Sequence, residues 1–291
     1  MASTEVEDFY TQIDQSDIKE EDNPNFDVHG LKIPFRMLIV GASGSRKTNT
    51  ALDIIQKCGD TFFNITICCR NGDEPLYKLL KKNIPADQLS IVEIEGDDLQ
   101  KIPKINKIDK KHPSLVVFDD LVLVKDQETI CEFFIRARKV NCSIMYLTQA
   151  YYETPKTIRS NCNYIVLKKI ASKRDLDMIL REYTLGVDDD QLRQLYTECT
   201  RKPLDWLMVS IDDPPEKRFR HNYQVLNDVD TVDDGHEPDT QAGNSAVGDQ
   251  QQPHQDQQQE QPDQQRSYPN FSQQSSRYQP RDVARLLSRF S

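Results

Sequence analysis

The residues best placed by type and spacing to do chemistry lie in RMLIVGASGSRKTNT, positions 36–50. Met37-Leu38-Ile39-Val40 breaks into Gly41-Ala42-Ser43-Gly44-Ser45-Arg46-Lys47-Thr48, after which Ala51, Leu52, Ile54 and Ile55 recur at helical spacing. A loop of small residues between strand and helix wraps backbone N–H groups around phosphates, and the helix N-terminus points the positive end of its dipole at them. In that geometry the Lys47 ammonium neutralises β- and γ-phosphates and the Thr48 hydroxyl ligates Mg²⁺. The pattern GxxxxGK[ST] is kept at Gly41, Lys47 and Thr48 but broken at Arg46, which replaces the second glycine. If that position needs positive φ, a residue with a Cβ costs about 1–2 kcal/mol there. A strained functional loop tolerates such a cost.

A second group follows some seventy residues later. Ser114-Leu115-Val116-Val117-Phe118 is an apolar strand ending in Asp119 and Asp120. Delivered beside the loop, Asp119 holds Mg²⁺ through water, and Asp120 orients or deprotonates an attacking water. Ser143 to Gln149 is a further strand ending in Thr148 and Gln149. Polar residues at the carboxyl end of a buried strand sit where open α/β sheets bind ligands, so Gln149 is a candidate to sense the γ-phosphate or place the water. The intervening helix, near 127–139, carries Arg136, Arg138 and Lys139 at its end. They suit the helix dipole, and they also suit an arginine finger reaching a neighbouring subunit's γ-phosphate.

These side chains need a rigid frame. From Pro34 to about Gln224, apolar strands alternate with amphipathic helices: strands over 62–69, 90–94, 162–168 and 204–211, helices over 74–82, 172–183 and 189–197. The expected class is α/β, a P-loop NTPase fold whose mainly parallel sheet is covered on both faces. Residues 1–32 read as an acidic disordered arm, 33–225 as the ATPase domain, and 226–279 as an acidic and glutamine-rich tail too polar to bury a core. At 280–291, Val283, Leu286, Leu287 and Phe290 fall on one helical face with arginines between them, the pattern of a short docking helix, with a frayed tail as the equal alternative. Between the elements, 101–112 bears five lysines and reads as a solvated connector, with a DNA-facing loop as the alternative, Arg159 as exposed on a short helix, and Trp206 as core. The basic, aromatic run 217–223 suits either nucleic acid or the cover of a sheet edge.

With 291 residues and a net charge of −10, the chain has room for one α/β domain and tails, and its balance argues against a nucleic-acid footprint over the whole surface. No run of 18 apolar residues occurs and no signal peptide opens the chain, so a soluble intracellular protein is expected. The seven cysteines show no zinc spacing and read as reduced core thiols.

In order, PFRMLIVGASGSRKT, SLVVFDDL, RARKVNCSIMYLTQAYYETPKTIRSNCNYIVLKK and FRHNY span about residues 33–224. Together they resemble the FtsK–HerA superfamily of P-loop ATPases, and more narrowly the poxvirus-type DNA-packaging ATPases of large DNA viruses, virophages, adintoviruses and Polinton/Maverick elements. The resemblance implies a homo-oligomeric ring that hydrolyses ATP with Mg²⁺ and drives double-stranded DNA into a capsid, at a host assembly site or in the virion. It places Lys47 and Thr48 on phosphate and metal, Asp119 on the metal, Asp120 in the catalytic carboxylate's position and Gln149 in the sensor's. Arg138 or Arg136 is then the finger, with Arg159 as second candidate, and capsid or vertex proteins are partners that 280–291 would meet. Two departures stand out: Arg46 for a glycine, and Asp120 where many relatives have glutamate. They leave open a hydrolysis-impaired assembly protein acting at the capsid through its tails. A small-molecule kinase shares the loop, but no lid-like arginine cluster follows it.

Overall fold

Met37 to Val40 is apolar on both sides of the pleat, as a strand in the middle of a covered sheet must be. A computed structural model of the chain, describing residues 7, 9–12 and 23–227, places it there. In chain order the strands are β1 (Arg36–Val40), β2 (Asn64–Cys69), β3 (Leu89–Glu93), β4 (Ser114–Asp119), β5 (Cys142–Thr148), β6 (Tyr164–Leu167), β7 (Leu207–Ser210), β8 (Phe219–His221) and β9 (Gln224–Val225). The helices are α1 (Phe26–His29), α2 (Lys47–Lys57), α3 (Pro75–Asn83), α4 (Glu128–Arg136), α5 (Lys156–Asn161), α6 (Lys173–Glu182) and α7 (Asp189–Cys199).

Among the described residues the strands form one sheet in the order β3-β2-β4-β5-β1-β6-β7-β8-β9. Neighbours from β3 to β6 are parallel, and β6 to β9 are joined antiparallel. The α/β class with a mainly parallel sheet is therefore as expected. Alternation along the strands feeds two cores. Leu38, Phe118, Tyr146 and Ile165 face Phe133, Ile158 and Ile179 of α4, α5 and α6, whereas Met37, Val117, Met145 and Val166 face Ile54, Ile55 and Tyr77 of α2 and α3. Trp206 joins the second core. All seven cysteines are free thiols, and six are buried. No helix among the described residues is long and apolar enough to cross a membrane.

Several expectations change. Residues 23–32 are not part of a disordered arm: His29 and Leu31 are fully buried, and Asn25 Nδ2 donates to the Gly59 carbonyl at 2.6 Å. Two short turns, Leu99–Lys101 and Ile105–Lys107, anchor the lysine connector by burying Ile102 and Ile105. The run 217–223 takes the sheet-edge alternative, since it contains β8 with Phe219 and Arg220 buried. Arg159 is not exposed. Its side chain is 12% accessible, paired with Glu182 at 2.6 Å and set over the Tyr151 ring. Except for residues 226 and 227, the expected tail and the helix at 280–291 lie outside the described residues, as does most of 1–22.

Candidate active site

β1 ends where the chain must turn away between two parallel neighbours. The Gly41 N–H donates to the Thr148 carbonyl of β5 at 3.1 Å, and the Ala42 N–H to the Lys169 carbonyl beyond β6 at 2.9 Å. Only glycine fits at 41, because a Cβ there would come within 2.5 Å of Ser45 Oγ and 2.6 Å of Lys168 Cβ. Lys168 is itself buried beneath the loop, and its ammonium donates to the carbonyls of Pro203, Leu204 and Asp205 at 2.9–3.1 Å. Burial draws that ammonium down to a pKa of about 8.

The loop closes through the Ser45 N–H on the Ala42 carbonyl at 3.1 Å. Gly44 has φ 73° with open space where a side chain would stand. Arg46, the N-cap of α2, has φ 67° and ψ 36°, so the condition for strain at this position is met, at about 1–2 kcal/mol. Lys47 and Thr48 then open α2, whose first turn leaves its N–H groups without intrahelical acceptors. The Lys47 ammonium donates to the carbonyls of Gly41 and Ala42 at 2.9 and 3.1 Å. Burial draws it below the ordinary lysine range, against the pull of Asp119 and Asp120.

β5 lies between β1 and β4. Its carboxyl end is thus flanked by the loop on one side and the Asp119-Asp120 pair on the other. Asp119 is 6% exposed, and its Oδ2 accepts from Thr48 Oγ1 at 2.9 Å and from the Tyr77 hydroxyl. Burial raises this carboxyl, while those two hydrogen bonds and the Lys47 charge oppose the rise. Asp120 is exposed at φ 56°. Aspartate enters that left-handed region more readily than most side chains, which gives a backbone reason for Asp rather than Glu. Thr148 bonds with Ala150 and Thr154, fixing the turn on which Gln149 is presented. Lys47, Thr48, Asp119, Asp120 and Gln149 all line one cavity of about 520 Å³.

Local sequence did not reveal three further groups. Glu74 and Arg70 line the same cavity, and Tyr77 holds Asp119. Burial, then Asp119 and Asp120, raises the Glu74 carboxyl. All three follow β2, whose Cys69 is in register with Asp119. The signal was a carboxylate and a tyrosine three residues apart at a helix start, but only strand pairing tells which strand they adjoin.

Arg136 and Arg138 are not brought to this cavity. Arg136 pairs with Glu132, and Arg138 lies beside Asn23, Lys32 and Pro34 before β1. That is the amino end of the strands, roughly 17–20 Å along the strand direction from the loop.

Hard oxygen donors, a cationic side chain and an open glycine turn fit a triphosphate with Mg²⁺. Among the described residues no group of three or more His, Cys, Asp or Glu converges as a metal site. A cation held mostly by nucleotide oxygens and water needs none.

A sequence model of the Poxvirus A32 protein matches residues 24–202. The chain belongs to this family. Among solved structures, it is similar to B204, the DNA-packaging ATPase from Sulfolobus turreted icosahedral virus, over 70% of this chain and 100% of that one, at 13% identity and a TM-score of 0.50. The genome packaging NTPase B204 from Sulfolobus turreted icosahedral virus 2 in complex with sulfate is similar over 68% and 100%, at 14% identity and a TM-score of 0.50. Its complex with ATP-gammaS covers 67% and 100%, at 14% identity and a TM-score of 0.49. At these identities the likeness shows the fold. No curated protein sequence matches the chain. The poxvirus-type family and the α/β fold that the loop, SLVVFDDL and SIMYLTQ implied are thus as expected.

Proposed function

We propose that this A32-family chain is a genome-packaging ATPase that couples ATP hydrolysis to movement of double-stranded DNA into a capsid. The observation that carries this is the 2.9 Å hydrogen bond between Thr48 Oγ1 and Asp119 Oδ2 beside the Lys47 ammonium, the pairing that phosphate-loop hydrolysis requires. Thr48 and, through water, Asp119 would hold Mg²⁺, which when bound supplies positive charge to the phosphate oxygens. Lys47 and the N–H groups of the first turn of α2 bind and orient the phosphates. Asp120 takes the proton of the attacking water, and Gln149, at the end of the neighbouring strand, positions that water. Arg136 and Arg138 lie far from their own subunit's cavity, so as fingers they act on a neighbour's nucleotide, which a homo-oligomeric ring supplies. Assembly at a host site and meeting capsid or vertex proteins through 280–291 belong to the same reading.

Phosphate release assayed with and without duplex DNA tests it. Lys47→Ala should lower turnover by about 10²–10³-fold, the size typical of losing one preorganised charge-stabilising group. Asp120→Asn should keep nucleotide binding and lose hydrolysis, and normal hydrolysis by that variant would remove Asp120 as the base. A second reading, an assembly protein impaired in hydrolysis, is favoured by the left-handed Arg46 alone. It prevails if wild type is inactive under conditions where Arg46→Gly turns over.

A further inference from the structure

The turn that presents Gln149 continues into a second recess, separate from the nucleotide cavity. About 590 Å³ in volume, it is walled by Tyr152 from that turn and by Lys173, Arg174, Met178 and Arg181 of α6. Two carboxylates also border it, but each is engaged elsewhere. Asp177 is paired with Arg193 at 2.7 Å, and Glu182 with Arg159 and the Tyr151 hydroxyl. Lys173, Arg174 and Arg181 are exposed. Among the described residues none of the three is in an ion pair. The Arg174 guanidinium instead stacks over the Tyr152 ring, 3.9 Å from its centroid, and the ring remains 53% exposed.

Asp177, one turn from both Lys173 and Arg181, feels their charge as well as that of Arg193, yet on a chain of net charge −10 the recess still carries a local excess of cations. Arg174 and Arg181 are seven residues apart, so they project from one side of α6 about 10 Å apart along its axis. A duplex presents one backbone charge per roughly 1.7 Å of its length, so a stretch of that span faces both arginines and Lys173 with several phosphates. The half-exposed Tyr152 ring beside Arg174 adds a surface for sugar and backbone atoms.

We propose that this recess seats the phosphate backbone of duplex DNA. The proposal rests on the packaging reading above and names the place where that reading's polymer would touch the chain. Contacts of this kind carry no sequence information, as movement along an arbitrary genome demands. The recess is also tied to the nucleotide site. Asp175, buried on α6 next to Arg174, accepts the Tyr151 N–H at 3.0 Å, and Thr154 Oγ1 donates to the Ala150 carbonyl at 2.9 Å. Gln149 and Tyr152 therefore sit on one braced turn, and DNA bearing on Tyr152 and Arg174 also loads the sensor side chain.

The test uses the full chain and a short labelled duplex, with anisotropy titrations at several salt concentrations. In the triple variant Lys173→Gln, Arg174→Gln, Arg181→Gln, which keeps good helix formers, affinity should fall about tenfold or more. The slope of log affinity against log salt should shrink by about 2–3, near 0.9 per lost phosphate contact. Wild-type affinity and slope in that variant would overturn the proposal. So would an acidic peptide of sequence 1–22 binding at these three residues when the duplex does not. Thermal midpoints check that the variant is folded, and Tyr152→Ala, which keeps all three cations but removes the ring under Arg174, should weaken duplex binding in the same direction. Calorimetry with Mg²⁺ and ATP keeps the two readings apart. No heat in wild type sinks the nucleotide reading and leaves the DNA titration readable, whereas an unchanged DNA titration sinks only the recess.

Discussion

Asp119 and Asp213 are equally buried, each 6% exposed, yet the chain completes them differently. Asp213, after β7, accepts Lys32 Nζ at 2.8 Å on one oxygen, and Ser210 Oγ at 2.8 Å and Arg220 Nη2 at 2.6 Å on the other. Arg220 spends another N–H on the Gly30 carbonyl at 3.0 Å. Burial pushes the Asp213 carboxyl up, but the bonds from Lys32 and Ser210 and the nearby charges hold it below the ordinary range. Asp119, at the end of β4, has two hydroxyls on a single oxygen and no ion pair among the described residues, and its carboxyl stays raised. A buried charge neutralised by its own chain fastens the antiparallel margin to the segment before β1. A buried charge left short of cations keeps its capacity for a ligand.

The sharpest way to break this contrast is Arg220→Ala. Leaving Asp213 buried without its closest cation should cost about 3–5 kcal/mol in urea unfolding, with nucleotide affinity unchanged. A loss under about 1 kcal/mol, the range of exposed pairs, would erase the distinction.

The same cluster should make stability depend on acidity. His29 is fully buried, and burial, then Arg220, lowers its pKa to about 4. The unfolded chain therefore takes up a proton near pH 6.5 that the native state refuses until about 4. Stability should be full above about pH 6.5 and fall by up to about 3 kcal/mol as the pH drops through that window. The depressed Asp213 carboxyl works in the same direction at lower pH. Urea midpoints equal at neutral pH and near pH 5 would contradict this.

At the other cluster, Tyr77→Phe removes one of the two hydroxyls on Asp119. A hydrogen bond to a charged group is worth about 1.5–3 kcal/mol, so Mg²⁺-dependent nucleotide binding should weaken by about tenfold or more in calorimetry, and binding in a metal chelator should hardly change. Equal losses in both conditions would make Tyr77 a core residue with no part in placing Asp119.

Arg46→Gly should have the smallest effect. Relief of about 1–2 kcal/mol of left-handed strain, less roughly 0.5–1 kcal/mol for glycine's added freedom when unfolded, leaves a gain of about 1 kcal/mol or less in thermal or urea unfolding. Destabilisation by this change would mean that the guanidinium itself holds the loop.

The loop, the Asp119-Asp120 strand and the Gln149 strand were legible in sequence because each is a short run whose period and ending residues declare it. Trp206 could be placed in the core for the same kind of reason. What escaped depends on pairing between distant segments. Tyr77 and Glu74 matter only because β2 lies against β4, and nothing within 64–77 says so. Arg159 looked free because Glu182, twenty-three residues later, is invisible to a local pattern. His29 and Leu31 were lost inside an acidic stretch whose average hides two buried positions.

The family match ends at residue 202, one position before the first of the three carbonyls that receive the Lys168 ammonium. A fragment trimmed to that border would strand a cation beneath Gly41 and bare the open side of β6, undoing the floor of the glycine loop from the far end of the chain. Material made for crystals or assays has to run through Val225, because the glycine loop after β1 stands on the chain's least conspicuous strands.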